Sequence, residues 1–124
     1  MEHTEFNEYA KSPLEIARHN RDEGKDVNMG EAEWATLTEL KKSIEATKDR
    51  MKRGDFPDES GLQSHLEGLI EEFKRNAKES IIDTNKRIAD HKLNGIDFSY
   101  LRWHIENIRT LLLEITGSRE IGGI

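Results

Sequence analysis

The chain has 124 residues, 34% hydrophobic against 35% charged, with a formal net charge of -6 and no cysteine; that allows one domain with a modest core and excludes disulfides and thiolate metal sites. Two prolines and few β-branched residues argue against sheets, so the expected fold is all-α: an antiparallel bundle of two to three long helices with a short N-terminal helix and a flexible N-terminal arm. The excess of acid disfavours direct nucleic-acid binding, because phosphate contact needs a basic face, and no apolar run is long enough to span a membrane.

Residues 1–30 read as an acidic N-terminal unit. The first 33 residues hold nine acids and four bases, a balance of -5. Residues 1–11 lack the apolar stretch of a signal peptide, which together with the absence of cysteine leads us to expect a cytoplasmic protein. In "SPLEIARHNRDEG", Ser12 is placed as N-cap, Pro13 at the first helical position and Glu15 three residues after the cap. That is a capping box with proline where its missing N–H costs nothing. Leu14, Ile16 and Ala17 give this short helix a weak apolar face; Gly24 ends it and "KDVNMG" links onward.

Residues 31–124 read as the helical bundle domain. Over 31–53, Trp34, Leu37, Leu40, Ile44 and Met51 recur at helical spacing. Glu31 and Glu33 open this helix, and Lys48, Arg50, Lys52 and Arg53 close it. Both ends suit the helix dipole, so the basic cluster reads as dipole complementation rather than a binding patch. Gly54 stops the helix, Pro57 blocks its continuation, and Asp58 or Ser60 caps the next one, with Ser60 and Gln63 repeating the capping-box pattern. Over 60–93, Leu62, Leu66, Leu69, Ile70, Phe73, Ala77, Ile81 and Ile88 form a stripe that thins at "NAKES" and "DTNK", where the helix is expected to bend or project. Asn94 and Gly95 end it.

The third long helix is expected over 97–116, with Asp97 as N-cap and Gly117 as its stop. Phe98, Leu101, Ile105, Ile108, Leu112 and Ile115 alternate steps of three and four, an a/d seam widened by Leu111 and Leu113. Three of the chain's eight aromatic residues, Phe98, Tyr100 and Trp103, fall within six positions here. So broad a ridge is expected to need more cover than one neighbouring helix gives, and therefore to recruit a second copy or another protein. Trp103 is expected to lie away from the seam beside Arg102, either as an interface hot spot or packed on the first long helix or elsewhere on its own chain. The tail "SREIGGI" carries Ile121 and Ile124, which are expected to fold back onto a groove.

No chemistry-bearing motif emerges. His3, His19, His65, His91 and His104 have no ligand spacing, so neither a metal nor a cofactor is expected. Glu67/Glu71 and Glu79/Asp83 are spaced by four, but Glu71 faces Arg75 and Asp83 faces Arg87, the pattern of a solvated helix surface. The sequence therefore reads as a non-enzymatic helical interaction protein, a small acidic adaptor or an inhibitor that occludes a partner's surface, a description that phage and mobile-element accessory factors fit. It is expected to form a homo-oligomer, dimer or higher, through Phe98, Leu101, Trp103, Ile105, Ile108, Leu112 and Ile115. The alternative is an oligomeric module that sequesters a nucleotide or other anion with Arg102, Trp103, Arg109 and Arg119.

Overall fold

A computed structural model of the chain describes residues 12–54 and 59–122. Among them are four helices and no strand: α1 (Pro13–Asp22), α2 (Met29–Arg53), α3 (Glu59–Leu93) and α4 (Ser99–Thr116). The expected arm over residues 1–11, the helix block at Pro57, the cap at Asp58, and Ile124 lie outside the described residues. No helix is long and apolar enough to cross a membrane among the described residues.

Local chemistry sets most of the helix ends. Ser12 caps α1 with the full reciprocal box: its side chain accepts from Glu15 N, and the Glu15 carboxylate accepts from Ser12 N. Asn28 caps α2 by accepting from Glu31 N at 3.0 Å, which starts that helix two residues before the expected Glu31. Gly54 and Gly117 close α2 and α4 with φ of +66° and +81°, backbone that favours glycine. Two expected caps are corrected. Ser60 lies inside α3 rather than before it. Phe98, not Asp97, occupies the N-cap of α4 and makes no side-chain cap bond, while Asp97 Oδ1 accepts from both Ser99 N and Ser99 Oγ in a tight local turn.

The core runs between α2, α3 and α4. Leu37, Ile44, Phe73, Ala77, Ile81, Ile108 and Leu112 are fully buried, with Leu40, Leu66 and Leu111 around them. Burying each large apolar side chain contributes about 1.5–3 kcal/mol, so this cluster dominates the stability. Ion pairs align the helices around it: Glu33, early in α2, meets Arg87, late in α3, and Lys41 on α2 meets Glu114 on α4. The helix α1 closes one side, with Leu14 buried, its N–H donating to Thr36 Oγ1 at 2.9 Å, and Arg18 reaching Glu79 on α3 at 3.2 Å.

Two expectations about burial change. The thin stretch of α3 does not project from the body: Asn76, Ser80 and Thr84 are buried, and the helix is continuous over 35 residues, roughly 50 Å. Small polar side chains manage this because Asn76 Nδ2 and Thr84 Oγ1 donate to their own i−4 carbonyls, at 2.9 and 2.7 Å. Most of the α4 ridge is also covered within the single chain, with Leu113 left 46% exposed. Leu101, Ile108, Leu111 and Leu112 are buried, Ile105 and Ile115 are half-buried, and Ile121 of the tail packs against the same cluster. What the ridge needed was two helices and a folded-back tail, and its own chain supplies them.

Candidate functional site

The exposed apolar surface concentrates at one end. Leu93, Ile96, Tyr100 and Trp103 are four of the five large hydrophobic residues left exposed among the described residues, and all lie within 93–103, around the α3–α4 turn; Leu113 is the fifth. Trp103, at 70% exposed, has most of its indole in solvent, while Leu101, two residues earlier, is 5% exposed. The 3.6-residue turn explains the contrast, since a residue two positions from a buried one points to the far side.

Beside Trp103 lies a cleft of about 680 Å³ between the start of α2 and the first half of α4. It is lined by Asn28, Gly30 and Glu31 from the start of α2, by Tyr100, Trp103, His104 and Asn107 from α4, and by Arg87 from α3. Gly30 lies close enough to the His104 ring that an added Cβ would make ordinary contact with it, at 3.9 Å.

Beneath the cleft, three helices share one carboxylate. Glu33 is 1% exposed, and its Oε1 accepts from Arg87 Nη2 at 3.1 Å and from His104 Nε2 at 2.8 Å. A carboxylate only accepts, so His104 carries its hydrogen on Nε2. Arg87 is held further by Asp83 Oδ2 at 2.6 Å and Thr84 Oγ1 at 2.9 Å. A buried charge needs such pairing to persist. His91 extends the network to the aromatic end: its Nδ1 donates to Arg87 O at 2.8 Å, leaving Nε2 to accept from the Tyr100 hydroxyl at 3.2 Å. The Tyr100 ring meets His91 edge-on, with centroids 6.2 Å apart.

The residues singled out from sequence are distributed as follows. Trp103 lines the cleft, but Arg102 stacks over the Phe98 ring at 4.8 Å instead of entering it. Arg109 donates to Arg119 O at 2.7 Å and pairs with Glu120, while Arg119 pairs with Glu106, so both arginines tie the C-terminal tail to α4. Arg102, Arg109 and Arg119 do not converge on Trp103. Leu101, Ile108 and Leu112 lie in the core, leaving Trp103 and parts of Phe98, Ile105 and Ile115 as the surface that set of seven presents. No cluster of three or more metal-ligating side chains occurs among the described residues.

Glu33, Arg87 and His104 carry only surface or dipole roles in the sequence, although a signal for two of them is present. Glu33 is in phase with Leu37, Leu40 and Ile44 on α2, and His104 with Leu101 and Ile108 on α4. An acid and a histidine at core register on two helices mark a buried polar contact. Comparison of this chain with protein-family models, with curated proteins and with solved structures gives no match.

Proposed function

We propose that this protein is a non-enzymatic interaction protein, an antiparallel helical bundle in the cytoplasm that works as an adaptor or inhibitor by laying its α3–α4 end on a partner protein. One observation carries this: Leu93, Ile96, Tyr100 and Trp103 expose apolar surface together while the rest of the described chain buries its large hydrophobic residues or spaces them singly. Clustered apolar exposure marks contact surfaces, and tryptophan and tyrosine are the residues most often found at their energetic centres. Phe98, with Arg102 stacked on it, edges the patch. A second copy is one candidate occupant of this end, which would make the protein a homo-oligomer.

The test is photo-crosslinking in the cells that make the protein, with p-benzoylphenylalanine in place of Ile96 and, as control, in place of Lys42 on the exposed side of α2. Discrete protein adducts from position 96 and not from position 42 support the proposal, and their masses separate a second copy from a different protein. Equal adducts from both positions, or none from position 96, contradict it.

A second reading rests on the volume of the cleft alone, which suits a small ligand, and not on the charges around it. On this view the chain sequesters a nucleotide or similar anion. A rise of the thermal midpoint with a nucleotide would support it through mass action.

A further inference from the structure

We propose that the cleft between the start of α2 and α4 receives a lysine or arginine side chain from a basic segment of the partner protein. This deepens the interaction reading above and rests on it.

The charges around the cleft decide between an anion and a cation. An anion would need free donors, and the cleft has few. The Arg87 guanidinium is already shared by Glu33, Asp83 and Thr84. His104 Nε2 is taken by Glu33. The start of α2 is capped by Asn28, with Glu31 in its first turn. Arg102 lies over Phe98, and Arg109 and Arg119 hold the tail. Counting the residues that line the cleft or bond to them, Glu31, Glu33 and Asp83 face the one permanent cation, Arg87. The balance is negative, and an incoming phosphate would meet carboxylates.

A cation meets the opposite. Glu31 is exposed, takes one long hydrogen bond from Asn28 Nδ2 at 3.4 Å, and has no ion pair among the described residues. Tyr100 and Trp103, three apart and so neighbours on one helix face, are 60% and 70% exposed and line the same cleft from α4. An ammonium or guanidinium between an aromatic face and a carboxylate gains from both, more strongly as water leaves the cleft. Tyr100 is pre-positioned by its bond to His91, so less ordering is required on binding. The net charge of -6 adds steering toward a basic partner.

The probe is a capped Gly-Arg-Lys-Arg-Gly peptide, titrated into ¹⁵N-labelled protein at low salt. The two tryptophans give two indole signals, and Trp103→Phe identifies its own. The basic peptide is expected to shift the Trp103 indole saturably and leave that of Trp34 in place. Trp103→Ala and Glu31→Gln should each weaken binding by about fivefold or more, whereas Tyr100→Phe, which keeps the ring, should retain most of it. Both altered positions are exposed, and circular dichroism verifies that the variants stay folded. Absence of a saturable shift, an equal shift with the matching glutamate peptide or with pyrophosphate, or unchanged affinity in Glu31→Gln overturns the proposal. Adducts from position 96 without basic-peptide binding would overturn this inference and leave the interaction reading standing; peptide binding without adducts would overturn the interaction reading, and with it the partner protein as the source of the side chain, leaving only a cleft that takes a cation.

Discussion

His104 on α4 donates to Glu33 on α2 across 2.8 Å, joining two walls of the cleft through side chains 71 residues apart. Because Arg87 on α3 bonds the same oxygen, one buried carboxylate sets the spacing of three helices beneath the surface that carries Tyr100 and Trp103. The stability of that network and the availability of the surface are separate properties, and substitutions distinguish them.

Glu33→Ala should destabilise the protein by about 3 kcal/mol in urea unfolding, since it leaves the largely buried Arg87 and His104 without a shared partner. Lys41 and Glu114 make an ion pair of similar length at a more exposed position. Glu114→Gln should leave the midpoint close to that of the unaltered chain. Similar losses for the two would show that burial of Glu33 is not what makes its contacts matter.

Ser80 and Thr84 are buried neighbours on α3 with opposite hydrogen-bond status. Thr84 Oγ1 donates to Ser80 O and accepts from Arg87, whereas Ser80 Oγ has no hydrogen-bond partner among the described residues. Ser80→Ala should therefore be neutral or stabilising by up to about 1 kcal/mol, and Thr84→Val destabilising by about 1–2 kcal/mol. Chemical denaturation of both variants checks the order, which reverses if the Ser80 hydroxyl is bonded in solution.

Asp97 adds a pH dependence. The Ser99 hydroxyl, and then the Ser99 N–H, donate to its carboxylate and hold its pKa below the ordinary 3.8. A lowered carboxylate favours the folded state above its ordinary pKa, and that contribution is lost as pH falls through the folded value. Ser99→Ala should move the Asp97 carboxyl titration upward toward 3.8 in a ¹³C NMR experiment. An unmoved titration would remove the turn as the cause.

Ile108 is 0% exposed at the centre of the α2–α3–α4 core. Ile108→Ala should cost about 2–5 kcal/mol. Ile108→Asp, which places an unpaired carboxylate there, should lose helicity outright by circular dichroism. Retained helicity in Ile108→Asp would mean the ridge is not the core of the single chain.

Much of the fold was legible along the chain because its signals are local. Ser12-Pro13, Gly54 and Gly117 mark helix ends within a few residues, and the stripes through Leu37, Phe73 and Ile108 repeat at helical spacing. The outward turn of Trp103 followed from its angle to Leu101 and Ile105. The return of the tail was legible in the apolar Ile121, but the cover that α2 and α3 give the α4 ridge was not, since the width of two neighbouring helices cannot be read from one helix. Asp83 and Arg87 had the spacing of a surface pair, and nothing within α3 reveals that Glu33, 54 residues earlier, completes the contact. Asn76 and Thr84 read as a thin stretch of the stripe because their side-chain hydrogen bonds return to carbonyls of their own helix, a pairing that residue type alone does not signal.

The central claim is that Trp103 is kept at the surface for contact, not for packing. The most direct measurement is the adduct yield from the crosslinker at position 96 in a Trp103→Ala background, compared at matched unfolding midpoints. Loss of most of the adduct with an unchanged midpoint is the predicted result. Full adduct yield, or a midpoint lowered as far as in Ile108→Ala, would contradict the claim.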